Sequence, residues 1–162
     1  MNKALLPAPL FADTPLMERV GFLIRRLHQI HVALFVQEAA QLDITTIQFT
    51  ALSVLYQRGE IDQSELAMQV GMDRTNVSDV VRRLLERGYM TVRINPEHGR
   101  RRLIRLTAQG MAFLKKADRC AQRAQERTVA ALSGPDRKVF AALLQHLVQE
   151  QNSLGRSPLR LK

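Results

Sequence analysis

The chain has 162 residues, 46% of them apolar, which is enough for one domain with a real core, or one lobe of a dimer. Its 24 Lys and Arg against 15 Asp and Glu give a formal charge of +9 and a pI near 10.8, predicting a polyanionic partner, nucleic acid before a membrane surface. There is no apolar run of ~18 residues, no charged-then-hydrophobic leader and only one cysteine, so a cytoplasmic protein with no membrane partner and no intrachain disulfide is expected.

Residues 1–15 hold three prolines among Leu5, Leu6, Leu10 and Phe11, and cannot form a continuous helix. They read as an arm, either disordered or packed on a partner subunit. From Leu16 to about Ala40 the spacing predicts a long helix with Leu16, Val20, Leu23, Ile24, Leu27, Ile30, Leu34 and Phe35 on one broad face. His31 falls near the centre of that stripe, His28 beside it and Arg25 on its flank. A histidine so placed is most simply a core residue. Two imidazoles a turn apart, with a guanidinium one turn before His28, can also receive a carboxylate. His28 and His31 could share a zinc ion, but two ligands are not a site and only Glu38 is near, so no metal or other cofactor is expected.

Thr45 with Gln48 three residues on is a capping box, opening a helix through Phe49, Leu52, Val54 and Leu55 to Gln57. Phe49 reads first as core. Asp62 with Glu65 makes a second capping box, Gly71 fits a left-handed helix end, and Asp73 can cap the helix that follows. Two helices joined by about three residues have helix-turn-helix spacing. In the second, Val77, Val80, Val81, Leu84 and Leu85 form the buried stripe. That leaves Arg74, Thr75, Asn76, Ser78, Asp79, Arg82 and Arg83 on the other faces, the side-chain types that reach base edges and phosphates in a major groove.

Gly88 stops this helix. Residues Met90 to Ile94 and Arg102 to Leu106 alternate apolar and polar around a loop with Asn95, Pro96 and Gly99, which predicts a hairpin. Between Arg74 and Arg105 nine arginines face only Asp79, Glu86 and Glu97. A charge run is usually a solvated face; on a helix-turn-helix with a basic hairpin beside it, DNA binding is the better reading.

Thr107 caps a predicted helix of about 25 residues, Ala108 to Leu132, too long for so small a domain to cover. Cys120 lies on it with Lys116, Arg119 and Arg123 within a turn, an arrangement that lowers a thiol pKa, although a structural cysteine is the simpler reading. Ser133 with Asp136 caps the last helix, whose stripe of Val139, Phe140, Leu143, Leu144, Leu147 and Val148 offers more apolar surface than one lobe needs. The expected use is a twofold homodimer interface, which would set two recognition helices into successive major grooves of a pseudo-palindromic operator.

The stretch RTNVSDVVRRLLERGYMTVRINPEHGRRRLIRLTAQG resembles the winged helix-turn-helix of the MarR family of bacterial transcriptional regulators, and the helix placement extends the resemblance from about Leu16 to Leu154. The family's wing carries Asp-x-Arg and then a Leu-Thr that opens the next helix. Here Arg100 and Leu106-Thr107 match, and His98 stands at the aspartate position. The resemblance implies a mainly α fold with a small β-hairpin wing, in which Arg100 enters the minor groove and Arg101 and Arg102 share that contact. It also implies an effector pocket holding a small aromatic carboxylate, with Arg25, His28 and His31 from the first helix and Gln48 and Phe49 from the second. RRLHQIHVALF is similar to regulators of nicotinate or hydroxybenzoate breakdown.

The organisation implied is an arm and dimerisation/effector helix over 1–40, a DNA-binding winged helix over 41–107, and a spine with a C-terminal dimerisation helix over 108–162. Function on this reading is a repressor of a catabolic operon, released from double-stranded operator DNA by the acid. Two other regulators stay open: a redox sensor acting through Cys120, and a winged-helix module that docks proteins. For an enzyme the sequence offers no Gly-rich phosphate loop, no metal-ligand cluster and no nucleophile with an identifiable base.

Overall fold

The computed structural model describes residues 15–72, 74–96, 102–155 and 158, with six α-helices and a small antiparallel sheet among them. Helix α1 spans Val20–Glu38, flanked by 3₁₀ turns at Leu16–Glu18 and Ala40–Leu42. The continuous helix expected from Leu16 to Ala40 is therefore broken at both ends. Arg19 is extended (φ −80°, ψ 118°), and Asp43, at φ 47°, takes the left-handed conformation that aspartate tolerates better than most residues.

Helix α2, Thr46–Arg58, starts at the predicted capping box: Gln48 N donates to Thr45 Oγ1 at 3.3 Å and Thr45 N to Gln48 Oε1 at 3.0 Å. Helix α3, Gln63–Val70, is capped by Asp62, which accepts from Glu65 N at 2.8 Å, and it ends at Gly71 with φ 74°. Glu65 accepts from the Gln69 amide at 3.0 Å. Helix α4, Arg74–Glu86, follows after a short turn; the capping role expected of Asp73 lies outside the described residues.

Strands β2 (Met90–Ile94) and β3 (Arg102–Leu106) form the hairpin that the alternation predicts, pairing antiparallel from Met90↔Leu106 to Ile94↔Arg102. A third strand, β1 (Ile61–Asp62), joins the far edge of β3 through Ile61↔Ile104. The sequence does not announce it, because two residues carry no readable period. Thr107 caps α5 (Ala108–Thr128) by accepting from Gly110 N at 2.9 Å. The helix is shorter than expected. From α6 (Gly134–Glu150), Arg137 donates to Ala130 O and Leu132 O, carbonyls that the end of α5 leaves open.

The core lies between the α2–α3–α4 layer, the sheet and α5, along which burial runs from Leu114 to Ala124, and the end of α1 joins it through Phe35 and Ala39. Val77, Val80, Val81 and Leu84 of α4 are buried in it with Leu52, Leu55, Leu66, Ile104 and Leu114. Gly110 lets the first turn of α5 settle onto the end of β2's lead-in, since a Cβ there would stand 2.0 Å from Tyr89 O. The outer layer differs. Phe35 is the buried residue of α1, none in α6 is buried, and Val20, Leu23, Ile24, Ile30, Val139, Leu143, Leu144, Leu147 and Val148 are exposed.

Candidate functional site

Helix α4 presents Asn76, Ser78, Asp79, Arg82 and Arg83 on its exposed face, with Arg74 and Thr75 in its first turn. Its apolar stripe fixes that orientation, because Val77, Val81 and Leu84 must point into the core. Ser78 accepts from Gln63 Nε2 at 2.6 Å, tying α4 to α3. Arg102, at the start of β3, is exposed as well. His98, Arg100 and Arg101, the remaining wing positions, lie outside the described residues.

The nine arginines are not equivalent. Arg82 lies between Asp79 at 3.3 Å and Glu86 at 2.9 Å, and its hydrogen bonds to Glu86 and then Asp79 hold the guanidinium above its ordinary pKa. To touch DNA it must exchange these carboxylates for phosphate or base. Arg93 on β2 makes a two-pronged pair with Glu60, with Nε at 2.7 Å from Oε1, and that bond holds the Glu60 carboxyl below its usual range. Arg87 is turned inward against Tyr89 and the α1–α2 connection. Counting charge along the sequence therefore overstates what is presented to a polyanion.

Between α1, the end of α5 and α6 is an open cleft of about 650 Å³. Ile24, Leu27, Phe140 and Leu144 make its apolar walls, and His28, His31 and Arg137 supply polar groups. His31 Nδ1 is 2.9 Å from Thr128 Oγ1, and that hydroxyl gives its one proton to Ala124 O at 2.7 Å. The hydroxyl must then accept, so Nδ1 carries the hydrogen and Nε2 remains for a ligand. Arg137 is not singled out by the sequence pattern. It sits in the first turn of α6, where local pattern gives no sign that it reaches back to the end of α5.

The other expected effector residues are not gathered at this cleft. Arg25 is exposed and does not line it. Gln48 is buried and its amide oxygen closes the capping box of α2, while Phe49 packs against Phe35 with ring centroids 5.5 Å apart. Beside the cleft, Glu38 accepts from Arg123 Nε at 2.6 Å and Arg127 Nη1 at 2.8 Å, clamping the end of α1 to α5. The Arg123 bond first, and the Arg127 bond second, hold the Glu38 carboxyl below its ordinary range. Cys120 is buried, and Arg123 also donates to its Sγ at 3.3 Å.

Comparison with known proteins agrees with this geometry. The MarR family model matches residues 44–101. The chain is 31% identical over 159 residues to the HTH-type transcriptional repressor NicR of Pseudomonas putida, covering 96% of this chain and 100% of that one. It is similar to the structure of Bordetella bronchiseptica BpsR, whose DNA binding is regulated by 6-hydroxynicotinic acid, at 28% identity and a TM-score of 0.78, over 84% of this chain and 97% of that one. For Streptomyces coelicolor PcaV, solved with its natural ligand, the values are 29% and 0.74, over 86% and 98%. A capped helix-turn-helix with an antiparallel wing, carried on long outer helices and matched over the full length of a relative, means that the chain belongs to the MarR family of winged-helix transcription regulators.

Proposed function

We propose that the protein is a homodimeric, operator-binding transcriptional repressor released by a small aromatic carboxylate of the nicotinate or hydroxybenzoate class. The observation that carries this reading is the cleft, where two imidazoles and a guanidinium stand among apolar walls. A carboxylate would pair with Arg137, with the Nε2 edge of His31 toward the ligand, while the ring lies between Leu27 and Phe140. The relatives named for repression and for 6-hydroxynicotinic acid support the same class. The exposed apolar residues of α1 and α6 are the proposed twofold interface, which would close the mouth of the cleft.

On this reading, Arg74, Thr75, Asn76, Ser78, Asp79, Arg82 and Arg83 serve the major groove, and Arg102 with His98, Arg100 and Arg101 serves the wing. The acid acts only by binding one spacing of the two reading heads more tightly than the other, and a coupling of about 1–3 kcal/mol corresponds to roughly 5–150-fold in DNA affinity.

The test is an anisotropy titration on a duplex selected by the protein from a random-sequence pool, repeated with benzoate, hydroxybenzoates, nicotinate and hydroxynicotinates. One acid should weaken binding within that range, and His31→Ala and Arg137→Ala should keep DNA affinity while blunting the response. If no acid acts, and peroxide releases the wild type but not Cys120→Ser, the acid reading fails and the redox reading replaces it.

A further inference from the structure

The nine-arginine cluster contains one member whose surroundings are not those of a DNA contact. Arg87 follows the last residue of α4, where the chain turns at Gly88 (φ 72°) toward β2. Its guanidinium donates from Nη2 to Leu42 O at 3.0 Å and from Nη1 to Asp43 O, two consecutive carbonyls in the connection between α1 and α2. Nη2 also donates to Tyr89 Oη at 3.3 Å, and the carboxylate of Asp43 is 3.8 Å from Nη1. The cation lies 5.0 Å from the Tyr89 ring centroid and 5.4 Å from that of Phe113 on α5, and these two rings stack at 4.2 Å.

Three parts of the fold meet at this residue. The backbone of the same turn is gripped from α5, since Gln109 Nε2 donates to Arg87 O at 3.2 Å and Thr107 Oγ1 to Gly88 O at 2.7 Å. The side chain then reaches the connection that leads out of α1, the helix clamped to α5 through Glu38. Asp43 is left-handed, and the carbonyls of Leu42 and Asp43 both accept from the one planar guanidinium, which forks across them. A lysine ammonium keeps the charge but cannot span both carbonyls and lie against the rings.

We propose that Arg87 is a positioning residue of DNA recognition, which fixes the angle of α4 against the α1–α2 connection and makes no contact with DNA itself. This rests on the DNA-binding reading of α4. It assigns to this side chain a mechanical link between the α1–α2 connection and the recognition helix. A movement of the α1–α2 connection would reach α4 through the guanidinium fork.

The experiment compares full-length wild type, Arg87→Lys and Arg87→Gln on the selected duplex and on a scrambled duplex of equal length, across a salt series, with thermal unfolding in parallel. Both variants should lose about tenfold in the selected-to-scrambled affinity ratio, as expected for loss of charge-assisted hydrogen bonds. Both should keep the wild-type dependence of scrambled-duplex affinity on salt. A phosphate contact would behave differently: Arg87→Lys would bind as wild type, and Arg87→Gln would lower the salt slope by about 0.9. That pair of results overturns the proposal. So does an unchanged affinity ratio with only a lowered unfolding midpoint, which would make Arg87 a packing residue. If the wild type selects no sequence from the pool, it is the DNA reading that has failed.

Discussion

The two halves of this molecule use their apolar residues in opposite ways. In α4 every third or fourth residue is apolar and the chain covers it: Val77 and Leu84 are 1% and 0% exposed. In α6 the stripe is equally regular, yet Leu143 and Leu147 are 57% and 46% exposed, and the matching side of α1 leaves Val20 and Ile24 open too. Periodicity alone predicts a buried face in both cases. What differs is the neighbour. α4 has α2, α3 and the sheet against it, whereas α6 departs from the end of α5 with few contacts back to its own chain. On the proposed reading, this uncovered stripe is the surface that a second copy covers.

Substitutions in the two stripes should have opposite consequences. Leu84→Ala should cost about 2–5 kcal/mol of unfolding free energy, because it removes a fully buried side chain and leaves a cavity, and denaturant unfolding would read it directly. A loss under about 0.5 kcal/mol would mean that α4 is not anchored as described. Leu143→Asp with Leu147→Asp should instead leave the secondary structure intact and convert the protein to a monomer in sedimentation, with weaker operator binding because two half-sites are no longer engaged by one particle. A dimer that survives both charges would place the interface elsewhere.

A smaller effect is expected where the end of α1 is clamped to α5. The Glu38 carboxyl is held below its ordinary value of 4.5 by Arg123 and Arg127, so its contribution to stability is complete above that range and disappears as pH falls through the lowered value. Glu38→Gln should therefore be less stable than wild type near neutrality, with the gap closing on acidification. A gap independent of pH would mean that the clamp acts through packing and not through charge.

Local chemistry is legible in the amino-acid sequence. The capping pairs Thr45 with Gln48 and Ser133 with Asp136, the cap of Asp62, the left-handed Gly71 and the helix stop at Gly88 all follow from residues within a few positions of one another, and the alternation of β2 and β3 marks the hairpin. The candidate cleft is legible only in part. His28 and His31 share one helix face and can be paired by spacing, but Arg137 is more than a hundred residues away and enters through the turn between α5 and α6. The roles of Arg82, Arg87 and Arg93 are equally hidden, since nothing near Arg87 in the sequence announces the carbonyls of Leu42 and Asp43.

The capped helices, the helix-turn-helix spacing, the strands of the wing and the sign of the charge are written locally, because backbone conformation and side-chain type set them over short distances. Which cations remain on the surface, which apolar stripe is left uncovered and which polar groups line the cleft emerge on folding. Each of those depends on what a side chain meets across space, and packing, not sequence separation, chooses that partner.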